Sequence, residues 1–439
     1  MIEKAPEFKV DSETILQQGL LNFHRNLNSD SFNKIERDYL YWDKIKYLKF
    51  QYISPEDAWQ NLKLIRFLNS KYLLINSKKL NHSIGLNYSV NEYLQQKLHY
   101  LDFNFGAGLQ KEQLLTDLDK QDYLKNALME ESIFSSMIEG ATTTRVKAKD
   151  MLRKNKKPQN KSEQMILNNY RTIQYISEHQ NEAISIEKLY DIHRLVTENT
   201  LEEEYVGSFR NSNEINVVNE LTGEIVYTPP NFEELDGLMS SFCDFFNNNP
   251  KEDFIHPIVK ASILHFLIGY IHPFVDGNGR TARAIFYWYL LKNGYWLTEY
   301  LSISRVIIKT KTQYEKAYLY TEIDDMDVTY FIHYQVKVLM RAFDELKTYV
   351  AKKKKEQSKL SKYLKLENIN ERQAIILQKI EEDNNRFFTV KEIETIFSIT
   401  NQTARTDIEE LVERGLLKKV AVNKKSSNYW KGDKFGSFS

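Results

Sequence analysis

The stretch "IHPFVDGNGRTAR", residues 271–283, follows a strongly apolar segment and decides the fold of this 439-residue chain. Residues 256–271 are almost continuously apolar, which predicts a buried central helix. Pro273 cannot simply continue that helix, so the chain must turn there. Gly277 and Gly279 allow positive φ and a close approach of the backbone to a ligand. A second helix is therefore predicted to start within this stretch.

The turn has the composition of a phosphate-binding loop. Free N–H groups at the start of a helix, flanked by glycine, form an anion site with the helix dipole behind it. Arg280 and Arg283 are three residues apart and are expected to share one helix face, where two guanidinium groups suit a polyphosphate. Asp276 is a candidate ligand of Mg²⁺, and His272 is a candidate base near neutral pH. Together these residues predict attack of a hydroxyl group on a nucleotide phosphorus.

An alternative interpretation is a plain connection between two helices, with a buried histidine and solvent-facing arginines. A lone Gly-Asn-Gly would favour that alternative. The number of specified positions in so short a stretch favours the catalytic loop instead.

The stretch "HPFVDGNGRTAR" resembles the signature of the Fic family, His-x-Phe-x-Asp/Glu-Gly-Asn-Gly-Arg-x-x-Arg, at every specified position. Ala282 stands where many members carry glycine. The wider resemblance covers about residues 105–345 and includes "GSFRN", "YTPP" and "HPIVKASILHFLIGY". It implies a mainly α fold, with a Fic-type helical core and a β-hairpin flap.

By resemblance, such a protein transfers AMP from ATP to a Tyr, Thr or Ser hydroxyl of a target protein and releases pyrophosphate. His272 would be the catalytic base and Asp276 the Mg²⁺ ligand. The nucleotide-binding loop would comprise Phe274, as a core anchor rather than a catalytic group, together with Gly277, Asn278, Gly279, Arg280 and Arg283. Phosphocholine, UMP and phosphate transfer occur on related scaffolds, and the two arginines favour a nucleoside triphosphate.

A glutamate lies in an unfavourable position at the end of an earlier predicted helix, residues 120–139. Glu139 is in its last turn, where the helix dipole disfavours a carboxylate, and Gly140 ends the helix. Ser135 and Glu139 share one face and can reach one partner. An exposed glutamate is the alternative interpretation.

The segment also resembles the Fic inhibitory motif, Ser/Thr-x-x-x-Glu-Gly/Asn, at Ser135, Glu139 and Gly140. The resemblance implies autoinhibition, with Glu139 expected to pair with Arg283 and to displace the terminal phosphate of ATP. The same glutamate could orient a water molecule for the reverse reaction, removal of AMP.

Two further segments suggest partners. Residues 213–228 predict a hairpin beside the loop, whose edge could hold a target segment by backbone hydrogen bonds; an ordinary structural hairpin is the alternative.

Residues 366–434 have the helix–turn–helix and hairpin pattern of a winged helix. Arg405 and the wing residues Lys424 and Lys425 could contact phosphates.

The charges of the winged helix do not decide its role. It could bind DNA, or it could contact another protein or form a dimer. Asp407, Glu409 and Glu410 share the recognition helix, and acids roughly cancel bases across the domain. The competing function is a nucleotide-sensing transcription regulator, which would have no need of the base His272. Similar proteins are often dimers, so a homodimer is one expected assembly.

The predicted organisation has four parts: an N-terminal helical region (1–104), a Fic core (105–345) that includes the inhibitory helix 120–140, a helical linker (346–365) and the winged helix (366–434). Outside the loop, helices are expected at 54–75, 162–178, 186–198, 231–249, 279–294, 325–350, 371–382, 390–397 and 401–414. The chain has 60 basic and 60 acidic residues and one cysteine. Without a signal peptide or an apolar span, this composition favours a cytoplasmic protein without a membrane contact.

Overall fold

The computed structural model divides the chain into two compact units, Met1–Leu346 and Lys347–Ser439. It describes residues 2–8, 30–51, 53–76, 83–105, 117–218, 223–248, 254–383, 385–423 and 426–435. None of the helices in these ranges is long and apolar enough to cross a membrane.

The first unit opens with short helices and a hairpin, so its N-terminal region is not purely helical. The described elements are α1 (Asp30–Asp38), α2 (Trp42–Ile45), α3 (Pro55–Asn69), β1 (Lys71–Asn76), β2 (Ser83–Tyr88) and α4 (Glu92–Phe105).

Helix α3 starts as predicted but ends earlier. The Ser54 hydroxyl caps it by accepting the Asp57 N–H at 3.0 Å, and Pro55 occupies the first turn. The predicted continuation to residue 75 is wrong, because β1 begins at Lys71 and pairs antiparallel with β2, with Lys71 opposite Tyr88. The aromatic and branched side chains of "KYLLIN" suit a half-covered strand better than another helical turn.

The rest of the first unit is a helical core, as the sequence predicted. Its helices are α5 (Asp117–Ile138), α6 (Arg145–Arg153), α7 (Lys161–Glu178), α8 (Ile186–Thr197), α9 (Leu235–Asn247), α10 (Pro257–Ile271), α11 (Asn278–Lys292), α12 (Ile303–Lys309), α13 (Lys311–Ile323) and the first part of α14 (Thr329–Leu364), whose remainder belongs to the second unit. Single 3₁₀ turns occupy Glu203–Tyr205, Phe232–Glu234 and Trp296–Tyr300.

Helix α10 is the central helix of this core. Nine of its apolar side chains have no solvent exposure: Ile258, Val259, Ala261, Ile263, Leu264, Phe266, Leu267, Ile268 and Ile271. It packs against α9 and α11. Burial on all sides holds both ends of the helix in place, and the 272–277 loop follows directly from its C-terminus.

The predicted hairpin is present as two short strands, β3 (Val217–Val218) and β4 (Ile225–Tyr227), with Val217 opposite Tyr227. Residues 219–222 at its tip lie outside the described residues. Tyr227 packs against Tyr270 of α10 with ring centres 5.0 Å apart, which brings the hairpin close to the end of the central helix.

The second unit has the predicted winged-helix elements. They are α15 (Glu371–Glu382), α16 (Val390–Phe397), α17 (Asn401–Glu413), β5 (Leu417–Asn423) and β6 (Ser426–Lys431). Strands β5 and β6 pair antiparallel as the wing. Lys424 and Lys425, the predicted phosphate contacts of the wing, lie outside the described residues.

Candidate active site

His272 ends the central helix in a left-handed conformation, with φ 50° and ψ 57°. Its ring Nδ1 is 3.2 Å from the carbonyl oxygen of Gly269. Because a carbonyl can only accept, Nδ1 carries the proton and the lone pair lies on Nε2. Burial lowers the pKa of His272 below its ordinary value of 6.5. The imidazole is therefore neutral near pH 7 and able to accept a proton.

Asn278 closes the loop with its side chain. Its Oδ1 accepts the Phe274 N–H at 3.0 Å, and its Nδ2 donates to the Phe274 carbonyl at 2.8 Å. Both ends of the amide are occupied in this way, so an anion would be bound by the backbone N–H of Asn278. The ring of Phe274 is fully buried, so it anchors the loop and does not reach a nucleotide.

His193 of α8 packs against the 272–277 loop, and it was not predicted as a site residue from the sequence. Its ring stacks on Phe274 with centres 3.9 Å apart and planes 4° from parallel. Nδ1 accepts the Gly207 N–H at 3.0 Å, so Nε2 carries the proton and donates to the Asp276 carbonyl at 2.9 Å. Burial lowers the pKa of His193 to about 4, which keeps it neutral.

Arg210, within the "GSFRN" stretch, ties the loop to the base of the hairpin. Its Nε donates to the His272 carbonyl at 3.0 Å and its backbone N–H to the Pro273 carbonyl at 2.9 Å. Nη1 donates to the Ser212 carbonyl at 2.9 Å, and Nη2 donates to the Pro230 carbonyl. No role was predicted for this residue from the sequence, because His272 and Pro230 lie 62 and 20 positions away along the chain.

Gly277 and Gly279 flank Asn278 at the start of α11, where the sequence predicts a backbone nest. Gly277 caps α11 with φ 85°, a conformation that favours glycine, and α11 begins at Asn278. A Cβ on Gly279 would collide with Oε1 of Glu139. The glutamate carboxylate therefore lies directly against the nest.

The two arginines of the loop are buried, each only 1% exposed. Arg280 donates to the Val196 carbonyl at 3.0 Å and to Oδ1 of Asp276 at 3.3 Å. Its Nε, like Nη1 of Arg283, is buried and has no hydrogen-bond partner among the described residues. Burial contradicts the alternative of solvent-facing arginines. The two guanidinium groups do not share a partner: Arg280 is bound by Val196 and Asp276, and Arg283 is bound by Ser135 and Glu139.

Arg283 is bound by the segment that resembles the inhibitory motif. Its Nε donates to the Ser135 hydroxyl at 2.7 Å, and its Nη2 donates to the Ser135 carbonyl and to Oε1 of Glu139, both at 2.9 Å. The expected contact between Glu139 and Arg283 is thus present as an ion pair. Glu139 follows the last residue of α5, and its side chain is 28% exposed.

Asp276 has one carboxylate oxygen occupied and a side chain that is 43% exposed. Its Oδ1 accepts two hydrogen bonds, from the Gly277 N–H at 2.5 Å and from Nη2 of Arg280 at 3.3 Å. A single accessible carboxylate fits Mg²⁺ that is shared with phosphate oxygens. No group of three or more His, Cys, Asp or Glu side chains that could hold a metal occurs in the described part of the chain.

Comparison with known protein families finds a match in each of the two units. The model of the Fic/DOC family matches residues 183–290, and that of the DeoR-like helix-turn-helix domain matches residues 372–421. The chain therefore contains a Fic domain followed by a helix-turn-helix domain, as the two sequence patterns predicted.

Two curated relatives cover the first of these domains. A protein named protein adenylyltransferase Fic from Nematostella vectensis is 29% identical over 164 residues, 37% of this chain and 34% of the relative. The protein of the same name from Aedes aegypti is 30% identical over 166 residues, 37% of this chain and 29% of the relative. The chain thus spans about a third of the length of these relatives.

The fold also matches a solved structure. A Fic family protein from Desulfovibrio desulfuricans G20 superimposes with a TM-score of 0.52 at 18% identity, over 77% of this chain and 95% of that chain. This likeness supports the helical architecture described above.

Proposed function

We propose that the protein is an autoinhibited protein adenylyltransferase that transfers AMP from ATP to a Tyr, Thr or Ser hydroxyl of a target protein. One observation carries the proposal: the neutral, half-buried imidazole of His272 lies in the same loop as Gly277, Gly279 and two buried arginines. The name shared by the curated relatives supports the same reaction.

In this proposal His272 takes the proton of the acceptor hydroxyl on Nε2. The hydroxyl oxygen then forms a bond to the α-phosphorus of ATP, and the bond from that phosphorus to the bridging oxygen of pyrophosphate breaks. The backbone N–H groups at the start of α11 and the guanidinium of Arg283 bind the phosphate charge. When Mg²⁺ is bound, Asp276 would hold it, and the metal would neutralise phosphate charge.

Glu139 would inhibit this reaction by occupying Arg283. A triphosphate needs the same guanidinium group to orient its terminal phosphate, so a bound carboxylate leaves the α-phosphate badly aligned for attack. The contact of Glu139 with the Gly279 nest adds negative charge where a phosphate would bind. Inhibition therefore depends on one ion pair and is reversible.

The same position makes Glu139 a candidate for the reverse reaction. Its partly exposed carboxylate lies beside the nest and could orient a water molecule toward the phosphorus of an adenylylated hydroxyl. Hydrolysis of that bond would return the hydroxyl and release AMP.

The hairpin is the proposed docking site of the target. Val218, Ile225 and Val226 expose 49%, 62% and 40% of their surface, although they belong to strands next to the buried loop. An extended target segment that pairs with a strand edge would cover these side chains and bring its hydroxyl toward His272.

Intact-mass analysis after incubation with ATP and Mg²⁺ tests the proposal. We expect Glu139→Gly to gain adenylyl groups, wild type to gain few, and Glu139→Gly/His272→Ala to gain none. An unmodified Glu139→Gly protein, with its fold verified by circular dichroism, would contradict autoinhibited adenylylation.

A second candidate function, DNA binding, is favoured by the surface of α17. The acids counted against it are paired: Asp407 is 3% exposed and pairs with Arg372, and Glu409, which is 47% exposed, pairs with Lys419. Glu410 accepts a hydrogen bond from Gln373. The exposed residues of its first turns are uncharged or basic: Asn401, Gln402, Arg405 and Thr406.

Fluorescence anisotropy with a short random-sequence DNA duplex tests this second function. We expect binding that weakens steeply with salt and that Arg405→Ala weakens about tenfold. Lys379→Ala, an exposed lysine on α15, is the matched control and should bind like wild type. Equal binding by both variants would contradict a DNA contact through α17.

A further inference from the structure

Helix α5 and the residue that follows it carry three polar side chains spaced four residues apart: Glu131 and Ser135 on the helix, and Glu139 just after its end. Ser135 and Glu139 both contact Arg283. Glu131 is two turns away from Glu139 and belongs to no motif that the sequence revealed. It is 2% exposed, so its carboxylate must be stabilised by specific contacts.

The Glu131 carboxylate is bound by the segment that leads into α12. Its Oε2 accepts the Ser304 backbone N–H at 2.9 Å and the Ser302 hydroxyl at 3.1 Å. Its Oε1 accepts the Ser304 hydroxyl at 2.5 Å. Three donors satisfy one buried carboxylate, which fixes the position of α5 along its axis relative to α12.

The same segment is also bound to α11, the helix of Arg283. The Tyr287 hydroxyl donates to the Leu301 carbonyl and accepts the Ile303 N–H, both at 3.1 Å. Tyr287 lies one turn after Arg283 on that helix. Residues 301–304 therefore tie α5 and α11 together and set the distance between Glu139 and Arg283.

The turn after α5 is closed by backbone hydrogen bonds: the N–H groups of Glu139 and Ala141 donate to the Ser136 carbonyl at 3.1 and 3.0 Å, and that of Gly140 donates to the Met137 carbonyl at 3.2 Å. Glu139 has the most exposed side chain of the three, at 28%, and lies past the helix end. Gly140 is exposed, has φ 88° and would have no atom within 4 Å of an added Cβ. The side of the turn at Gly140 is therefore open, and a movement of the turn in that direction meets no neighbouring atom at this residue.

We propose that Glu131 is the positioning residue of the inhibitory helix, and that inhibition is released by rotation of the Glu139–Gly140 turn while α5 stays in place. The proposal rests on the proposed autoinhibition by Glu139. Withdrawal of the whole helix would leave the buried Glu131 carboxylate and its serine donors without partners, which costs more than moving the partly exposed Glu139 side chain.

A double-mutant cycle on auto-adenylylation, measured by intact mass, tests the role of Glu131. We expect Glu131→Gln to raise the basal rate by about 5- to 30-fold, because the amide cannot accept all three hydrogen bonds and the contact of Glu139 loosens. In the Glu139→Gly background the same substitution should add nothing, since the residue it positions is gone. A merely structural defect would lower the rate in both backgrounds.

Ser304→Ala provides a second variant that leaves α5 unchanged. It removes one hydroxyl donor to Glu131, so we expect a smaller rise in the basal rate than with Glu131→Gln. If neither variant exceeds the wild-type rate while Glu139→Gly does, the positioning role is wrong and autoinhibition stands. If Glu139→Gly itself shows no rise, the proposed autoinhibition fails.

Gly140 tests the rotating turn directly. Gly140→Ala places a side chain at positive φ, which shifts the turn out of its inhibitory conformation and should raise the basal rate about 5- to 30-fold. Gly140→Asn is the matched control, because asparagine tolerates this conformation, and it should keep the wild-type rate. A wild-type rate in Gly140→Ala would overturn the rotating turn.

Discussion

At the scale of the residue, the chemistry depends on the protonation of His272. Burial lowers its pKa, while the nearby Glu139 raises it. Removing Glu139 therefore moves the pKa of His272 further below 6.5, and the neutral base persists at lower pH. The active form of the protein should tolerate mild acid better than an exposed histidine would allow.

The pH–rate profile of Glu139→Gly tests this expectation. We expect the adenylylation rate to stay constant from pH 8 down to about pH 6.5 and to decline only below that value, as the imidazole becomes protonated. An apparent pKa above 6.5 for the acid limb would contradict a base whose pKa is lowered by desolvation. Circular dichroism at each pH separates loss of activity from loss of fold.

His193 contributes to stability in a pH-dependent way. Its pKa is about 4 in the folded chain, against an ordinary value of 6.5. The unfolded chain therefore binds one more proton than the folded chain between pH 6.5 and pH 4, and the stability supplied by the neutral ring is lost as the pH falls through that window. The shift corresponds to about 3 kcal/mol.

Urea unfolding of His193→Gln and wild type measures this contribution. We expect wild type to be more stable at pH 7, and the difference in the free energy of unfolding to shrink between pH 6.5 and pH 4. His99→Ala, an exposed histidine of α4, is the control and should track wild type at every pH. A pH-independent difference for His193→Gln would contradict the buried neutral ring.

At the scale of the element, helix α11 has a left-handed glycine at each end. Gly277 has φ 85° at its start and Gly294 has φ 83° just after its end. A Cβ on Gly277 would lie 3.1 Å from Thr197, whereas one on Gly294 would meet nothing within 4 Å. Only Gly277 belongs to the nest that is proposed to bind the triphosphate.

Alanine substitutions at Gly277 and Gly294 separate the effect of backbone strain on stability from the effect of the nest on adenylylation. Both Gly277→Ala and Gly294→Ala should destabilise the chain by about 1–2 kcal/mol in thermal unfolding. In the Glu139→Gly background, only Gly277→Ala should strongly reduce adenylylation, because it distorts the N–H groups of the nest. Equal activity in the two variants would contradict the role of the nest.

The elements around the loop could be predicted because their signals are local. Apolar residues, Pro273 and the two glycines specify a buried helix, a turn and a second helix within one short stretch. The end of α3 was predicted wrongly. Residues 71–76 form a strand because they pair with β2, and that pairing cannot be read from residues 71–76 alone.

The missed site residues depend on long-range contacts. His193 reaches Asp276 across 83 positions, Arg210 reaches His272 across 62, and Glu131 reaches Ser304 across 173. No local pattern marks such partners as neighbours. Asp407 was misjudged for a similar reason, since only the folded domain shows that it pairs with Arg372 on α15.

At the scale of the whole molecule, the chain joins a Fic domain to a helix-turn-helix domain, and the two proposed functions use separate residues. Substitutions should therefore affect one function at a time. We expect Arg405→Ala to weaken DNA binding and to leave auto-adenylylation of Glu139→Gly unchanged.

The reciprocal substitution completes this test. His272→Ala should abolish adenylylation and keep wild-type binding in the same anisotropy assay. If His272→Ala instead weakened DNA binding as much as Arg405→Ala does, the two domains would not act independently in this way.

The most direct test of the central claim compares ATP binding with adenylyl transfer in Glu139→Gly and Glu139→Gly/His272→Ala. Calorimetry should give the same affinity for ATP in both variants, since the nest and Arg283 are intact. The rate of transfer should fall about 100- to 10,000-fold when the imidazole is removed. Transfer within tenfold of the parent rate, at unchanged ATP affinity, would contradict His272 as the base that activates the acceptor hydroxyl.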